Sequence, residues 1–274
     1  MIIDFHTHNF PDTLAPKAME ALKLNCADNP DIVAHTDGTA GDAKRVLTLA
    51  GIDRAVVCNI ATNPRQEQKV NSYAISLLES DFFIPLGSLH PDSENKRAEL
   101  SRLRDAGIKG IKLHPDYVGI ELCDERYDEI FSLLCEFDMF CVVHAGYDPI
   151  SPEKVHATPE MFRALVDKYP ALRLVAAHMG GFAKAEGVIR HLVGTNIYLD
   201  TSLSSLRRGE RELLYKILSE HRPDRILFGT DTPWTEASEE LEFVKNAPLS
   251  EERLQRIVYK NALELLGLEG QDEV

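Results

Sequence analysis

A single-domain (β/α)8 TIM barrel of the α/β class is the fold that this 274-residue chain predicts. Three observations predict it. Short apolar or β-branched runs alternate with longer amphipathic stretches from end to end, and there are eight such runs. Runs such as Ala55-Val-Val-Cys58 and Arg173-Leu-Val-Ala-Ala177 are near-continuously apolar instead of alternating, as parallel strands covered on both faces should be. Eight βα units also typically need about 250 residues, close to what the chain supplies. An open doubly wound sheet would more usually carry a Gly-rich nucleotide turn after the first strand, and none follows it.

The first strand is expected at 2–6, and His6 and His8 at its end are two residues apart. Side chains alternate along a strand, so both imidazoles are expected to converge while Phe5 and Thr7 face the other layer. A stretch of about 25 to 30 residues then precedes the first barrel helix, long enough for a lid, with an amphipathic piece near 16–24 and His35 on it. Further strands are expected at 54–60, 82–89, 108–113, 140–144, 173–178, 196–201 and 225–230, with helices at 64–79, 95–106, 125–137, 159–168, 210–221 and 237–245. Thr158 followed by Pro159 reads as a helix N-cap and first turn, and Gly107 and Gly267 read as helix ends.

At 44% hydrophobic and 27% charged, the chain is expected to be globular with a sizeable core. It has no Pro/Gly/Ser-rich linker, so residues 1–274 are expected to form one domain. Thirty basic and 44 acidic residues leave a formal charge of -14, which argues against nucleic acid or an anionic membrane as partner. No apolar stretch reaches the roughly 20 residues that span a bilayer, and no basic-then-apolar leader opens the chain, so a cytoplasmic location is the default expectation. Five cysteines without a CxxC pair read as reduced thiols, and none sits at the polar end of a strand.

Catalytic residues of such barrels lie at the C-terminal ends of the strands. There the sequence places His6 and His8 (strand 1), Lys112 and His114 (strand 4), His144 (strand 5), His178 (strand 6) and Asp231 (strand 8). Each follows an apolar run, a placement that scattered core histidines would not share.

These residues resemble the amidohydrolase superfamily of metal-dependent barrels, most closely the amidohydrolase-2 branch that includes aminocarboxymuconate semialdehyde decarboxylase. The resemblance spans the chain and rests on Asp4-Phe-His-Thr-His8, Gly110-Ile-Lys-Leu-His-Pro115, Val143-His-Ala-Gly146, Ala177-His-Met-Gly-Gly181, Gly229-Thr-Asp-Thr-Pro-Trp234 and a closing Tyr259-Lys-Asn-Ala-Leu263. It implies that His6, His8, His144 and Asp231 ligate one divalent metal, with zinc the expected ion. Imidazole and carboxylate donors also suit iron, cobalt or manganese. By the same resemblance Asp231 shuttles a proton and His178 orients or polarises as the second catalytic residue.

Lys112 has three readings: a contact to a substrate carboxylate, a carbamylated bridge between two metals, or an internal ion pair with Asp4. His114 reads as a substrate ligand or as the donor of a hydrogen bond to a nearby carbonyl. On the loops, Tyr147, Trp234 and Arg207 are taken as substrate-binding, with His35, Tyr117, His156 and Arg208 as further candidates, and an arginine there would favour an anionic substrate. His90, His191 and His221 are assigned to structure.

The leading function is a metal-dependent hydrolase that uses metal-activated water on a small C–N, C–O or lactone bond. A non-oxidative decarboxylase of a small carboxylic acid uses the same ligands and is the alternative; a metal- or ligand-binding module without turnover is the third reading. The expected partner is a small molecule, such as a carboxylate, and a homodimer is common in the branch.

Overall fold

The computed structural model describes residues 1–270; the last four residues of the expected 1–274 domain lie outside the described residues. All eight expected strands form: β1 (Ile3–Thr7), β2 (Arg54–Cys58), β3 (Phe83–Ser88), β4 (Gly110–Leu113), β5 (Phe140–Val143), β6 (Leu174–Ala176), β7 (Tyr198–Asp200) and β8 (Ile226–Leu227). They pair in parallel in chain order. Backbone bonds close the ring: Phe5 N–H to the Phe228 carbonyl (2.7 Å), Asp231 N–H to His6 (2.7 Å) and His8 N–H to Thr232 (2.6 Å). β8 is shorter than the expected 225–230, because the chain turns across the mouth there. Gly229 permits this by lacking a Cβ, which would lie 3.0 Å from that of His6.

The helices are α1 (Ala15–Asn25), α2 (Ala40–Leu49), α3 (Glu67–Ser76), α4 (Lys96–Ala106), α5 (Pro115–Val118), α6 (Asp128–Glu136), α7 (Pro159–Lys168), α8 (Ala185–His191), α9 (Arg211–Glu220), α10 (Ala237–Lys245), α11 (Glu251–Gln255) and α12 (Asn261–Leu266). α1 lies on the long first loop where an amphipathic piece was expected. α3 starts three residues later than the expected 64, since the Asn63 side chain accepts the Arg65 N–H (3.1 Å) and offers the backbone a turn in place of a helix. Thr158 caps α7 by accepting the Met161 N–H. No helix among the described residues is long and apolar enough to cross a membrane.

Strand parity sorts the core into two layers. Ala55, Val57, Ile111, Cys141 and Val143 join the layer beneath the helices, whereas Val56, Cys58, Leu86, Phe140, Val142 and Val175 fill the barrel. Phe5 belongs to the inner group, 5.6 Å from the Phe140 ring, contrary to the expectation that it faces the other layer from His6. A bulge is the reason. Asp4 pairs with Ala55 but Thr7 pairs with Val57, so β1 carries one extra residue and both Phe5 and His6 turn inward. Phe5 thereby forms part of the floor beneath the histidines, and its full burial contributes about 1.5–3 kcal/mol.

Candidate metal centre and active site

Strand ends deliver the sequence-predicted residues to one face of the barrel. Asp231 Oδ1 lies 3.1 Å from His8 Nε2 and 3.3 Å from His6 Nε2. Tetrahedral ligands at zinc-like bond lengths stand about 3.4 Å apart. Both rings are pinned from behind: His6 Nδ1 meets Asp200 Oδ2 at 2.9 Å, and His8 Nδ1 meets the Cys58 carbonyl at 2.8 Å. An acceptor behind Nδ1 keeps the proton there and turns the Nε2 lone pair toward the centre. Two presented lone pairs and a carboxylate oxygen within 4.8 Å of one another fit a divalent cation. Burial holds the His6, His114, His144 and His178 rings well below the usual imidazole range, followed by Lys112 for His6 and His114 and by a neighbouring histidine for the other two. Neutral imidazole is the ligating form.

His144 stands beside this triad instead of within it. Its Nδ1 is 3.0 Å from His178 Nε2, and its own Nε2 is buried without a hydrogen-bond partner. His178 stacks on His6 at 4.9 Å, and its Nδ1 meets Ser202 Oγ at 2.8 Å; that hydroxyl in turn bonds Asp200. His178 and Asp231 both take left-handed backbone conformations, with φ of 54° and 69°. Such residues cost about 1–3 kcal/mol each and cluster where a side chain must be aimed. Burial, above all, raises the Asp231 carboxyl from its usual range.

Lys112 is fully buried with Nζ 2.9 Å from His6 Nε2. The expected ion pair with Asp4 is absent among the described residues. Asp4 instead accepts from the Thr230 hydroxyl (2.6 Å), the Thr230 N–H (3.0 Å) and the His6 N–H (3.0 Å), and burial pushes its carboxyl up to about 7. His114 stacks on His144 at 4.1 Å, and its Nδ1 accepts the Tyr117 N–H, so the expected bond to a carbonyl is replaced by one from an amide. Arg207 pairs with Glu210 at 3.1 Å and lies 5.1 Å over the Phe182 ring, which packs edge-on against His178. Tyr147 approaches the same Phe182 ring at 6.5 Å, and the half-buried Trp234 is tied through its N–H to the Asp231 carbonyl (2.8 Å). His35 is exposed on the long first loop, while His156 is buried against Asp116 at 3.1 Å. His90, His191 and His221 bond locally, outside this cluster.

Four residues at this face escaped the sequence reading: Asp200, Ser202, Asp116 and Asp148. Asp200 had a signal, since Ile197-Tyr-Leu-Asp200 ends an apolar run on a polar residue as the recognised strands do. Ser202, Asp116 and Asp148 lie beyond strand ends, where no periodicity marks them.

A family model described as Amidohydrolase matches residues 3–268. The chain belongs to the amidohydrolase-2 family. Within it, this amidohydrolase is 31% identical over 134 residues to the gamma-resorcylate decarboxylase of a Polaromonas species, an alignment covering 42% of this chain and 40% of that protein. In structure it is similar to an uncharacterised TIM-barrel protein from Bordetella bronchiseptica, with a TM-score of 0.77, 18% identity and coverage of 97% and 98% of the two chains. It is also similar to a 5-carboxyvanillate decarboxylase from Novosphingobium aromaticivorans solved with manganese and 4-hydroxy-3-methoxy-5-nitrobenzoic acid, with a TM-score of 0.69, 16% identity and coverage of 98% and 96%. The structural likenesses establish the barrel.

Proposed function

We propose that this amidohydrolase is a non-oxidative decarboxylase of a small carboxylic acid, of the hydroxybenzoate class, rather than the hydrolase first expected from sequence. The observation that carries this reading is the 31% identity to gamma-resorcylate decarboxylase; the carboxylate-acting neighbour with manganese agrees with it. His6, His8 and Asp231 would hold the divalent ion, with manganese or zinc as candidates. Bound there, the ion supplies Lewis acidity toward the carboxylate and an adjacent oxygen of the substrate.

The chain's own groups then have separable tasks. In this reading the buried Asp231 carboxyl, raised from its usual range by desolvation, relays the proton that the reaction consumes. It gives that proton to the carbon bearing the carboxylate. The carbon–carbon bond breaks, its electron pair stays on the carbon to form the new C–H bond, and carbon dioxide leaves. Lys112 contacts the substrate carboxylate, and His178, held by Ser202 and His144, orients the ring. Arg207 exchanges Glu210 for an anionic substituent of the substrate.

A panel of carboxyl-13C-labelled acids, beginning with gamma-resorcylate and 5-carboxyvanillate, tests the reading with manganese- and zinc-loaded protein. One equivalent of labelled carbon dioxide per acid consumed is the expected result. Conversion of lactones or amides with 18O uptake from water, and no carbon dioxide from any acid, returns the assignment to a hydrolase.

A further inference from the structure

The long loop after β1 closes on itself at its base. There the Phe10 N–H donates to the Gly38 carbonyl (2.8 Å), and Phe10 pairs with Thr39, the N-cap of α2. α1 fills the first part of the excursion and is fastened to this base by the buried Met19. Gly38, with φ of 86°, makes room for it, since a Cβ there would lie 2.5 Å from the Met19 Cγ. The stretch beyond α1 is tied down elsewhere.

Its two anchors sit on opposite sides of the mouth. At the end of α1 the Asn25 side-chain amide donates to the hydroxyl of Tyr117, which lies in α5 after β4 with its ring edge-on to His114 at 4.3 Å. Burial, and then the charges of Asp148 and Asp231, push the adjoining Cys26 thiol up to about 11, so this end of the stretch stands close to the carboxylates of the site. At the other end the His35 N–H donates to the Pro233 carbonyl (2.8 Å), in the run after β8. In a ring ordered β1 to β8 and closed by β8 on β1, strands β4 and β8 are four steps apart in either direction. A segment tied to both has to cross the mouth. Beneath the crossing the His6, His8 and Asp231 side chains are only 0%, 14% and 8% exposed.

We propose that residues 25–35 are a strap over the barrel mouth, latched by Asn25 to Tyr117 and by His35 to Pro233, which opens to admit the divalent ion and the substrate. The proposal rests on the metal centre at His6, His8 and Asp231, whichever reaction the barrel performs. Opening is cheap. Ala27, Asp28, Pro30, Asp31 and Val33 between the anchors are exposed, so little apolar surface holds the strap down. Each anchor is a single uncharged hydrogen bond, of modest net strength in water. Turns within the strap, Asn29 N–H to the Cys26 carbonyl (2.8 Å) and Ile32 N–H to the Asn29 carbonyl (3.0 Å), let it lift as a unit. Closed, it keeps bulk water off the buried histidines, where electrostatic interactions are thereby strengthened.

Metal exchange on the full chain tests the strap without recourse to activity. Zinc release into excess chromogenic chelator and zinc uptake by stripped protein are followed by stopped flow, and hydrogen exchange of residues 25–35 by mass spectrometry. A gate speeds entry and exit by the same factor and leaves their ratio, the affinity, alone; loss of support for a ligand changes the ratio. Asn25→Ala and His35→Pro, which removes the anchoring N–H, should each speed release and uptake together by about two- to tenfold, with faster exchange confined to 25–35. Should either not fold, as read by circular dichroism, Tyr117→Phe removes the hydroxyl acceptor and keeps the ring beside His114. Unchanged rates, faster release with unchanged uptake, or exchange in 25–35 that the variants leave as it was overturns the strap. A wild-type chain that binds no zinc overturns the metal centre instead, and hydrogen exchange still decides the strap.

Discussion

Asp200 Oδ2 lies 2.9 Å from His6 Nδ1, so the residue that closes strand β7 decides which nitrogen of the first-strand histidine faces the metal centre. The same carboxylate accepts the His178 N–H (3.0 Å) and the Ser202 hydroxyl through Oδ1, and all four groups are buried. One acidic side chain thereby orients both ends of the histidine row.

Asp200→Asn puts an amide NH2 against one of these donors and removes the reason for His6 to keep its proton on Nδ1. Divalent-metal affinity should fall about 10- to 100-fold, as it does when outer-shell partners of ligating histidines are lost. Titration calorimetry with manganese reads this directly, and an unchanged affinity would remove Asp200 from the metal centre.

Asp231→Asn should reduce both turnover and metal retention, because the proposed function makes Asp231 both a donor to the ion and the proton carrier. The catalytic loss should be about 10²- to 10⁴-fold. Steady-state assays with parallel metal analysis check it; a variant that keeps both properties would refute the assignment.

Gly146, in the loop after β5, has φ of 90° and packs against the backbone of Gly181 and Phe182. A methyl group there meets fixed backbone on the β6 side and imposes a conformation that side chains disfavour. Gly146→Ala should cost at least about 1–3 kcal/mol in urea unfolding; a wild-type midpoint would mean that the β5 and β6 loops separate without penalty.

His221 receives the Gly194 N–H at Nδ1 (3.3 Å) and reaches the Ile197 carbonyl through Nε2 (2.9 Å). Burial pushes it down from 6.5 to about 4. Because the folded value lies below the unfolded one, its contribution is present above about pH 6.5 and is lost as pH falls toward 4. The difference of about 2.5 pH units corresponds to at most roughly 3 kcal/mol, less for the part of the ring that water reaches. Urea midpoints at pH 7 and pH 4.5 should therefore differ more for wild type than for His221→Gln; equal differences would contradict a buried neutral ring.

Much of this was legible in the sequence because it is local. The eight apolar runs, the Thr158 cap and Gly107 needed only neighbours in the chain. Polar residues closing apolar runs placed His6, His8, Lys112, His144, His178 and Asp231 on one face. Phe5 was misplaced because alternation presumes an unbroken ladder, and the extra residue in β1 appears only when β1 is set against β2. The Lys112–Asp4 pair failed for a related reason: closure of the barrel brings Thr230 to Asp4 from the far end of the chain.

The sequence by itself determined an eight-stranded barrel with its histidines gathered at one mouth, since hydrophobic period and strand-end chemistry are written residue by residue. Only the tertiary structure decided which ring nitrogens are free, that Asp200 stands behind His6 across 194 residues, and that Asp116 and Asp148 each lie beside His144. Those outcomes depend on interstrand register and on the closing contacts between β1 and the run after β8, which bring together atoms that no local pattern relates.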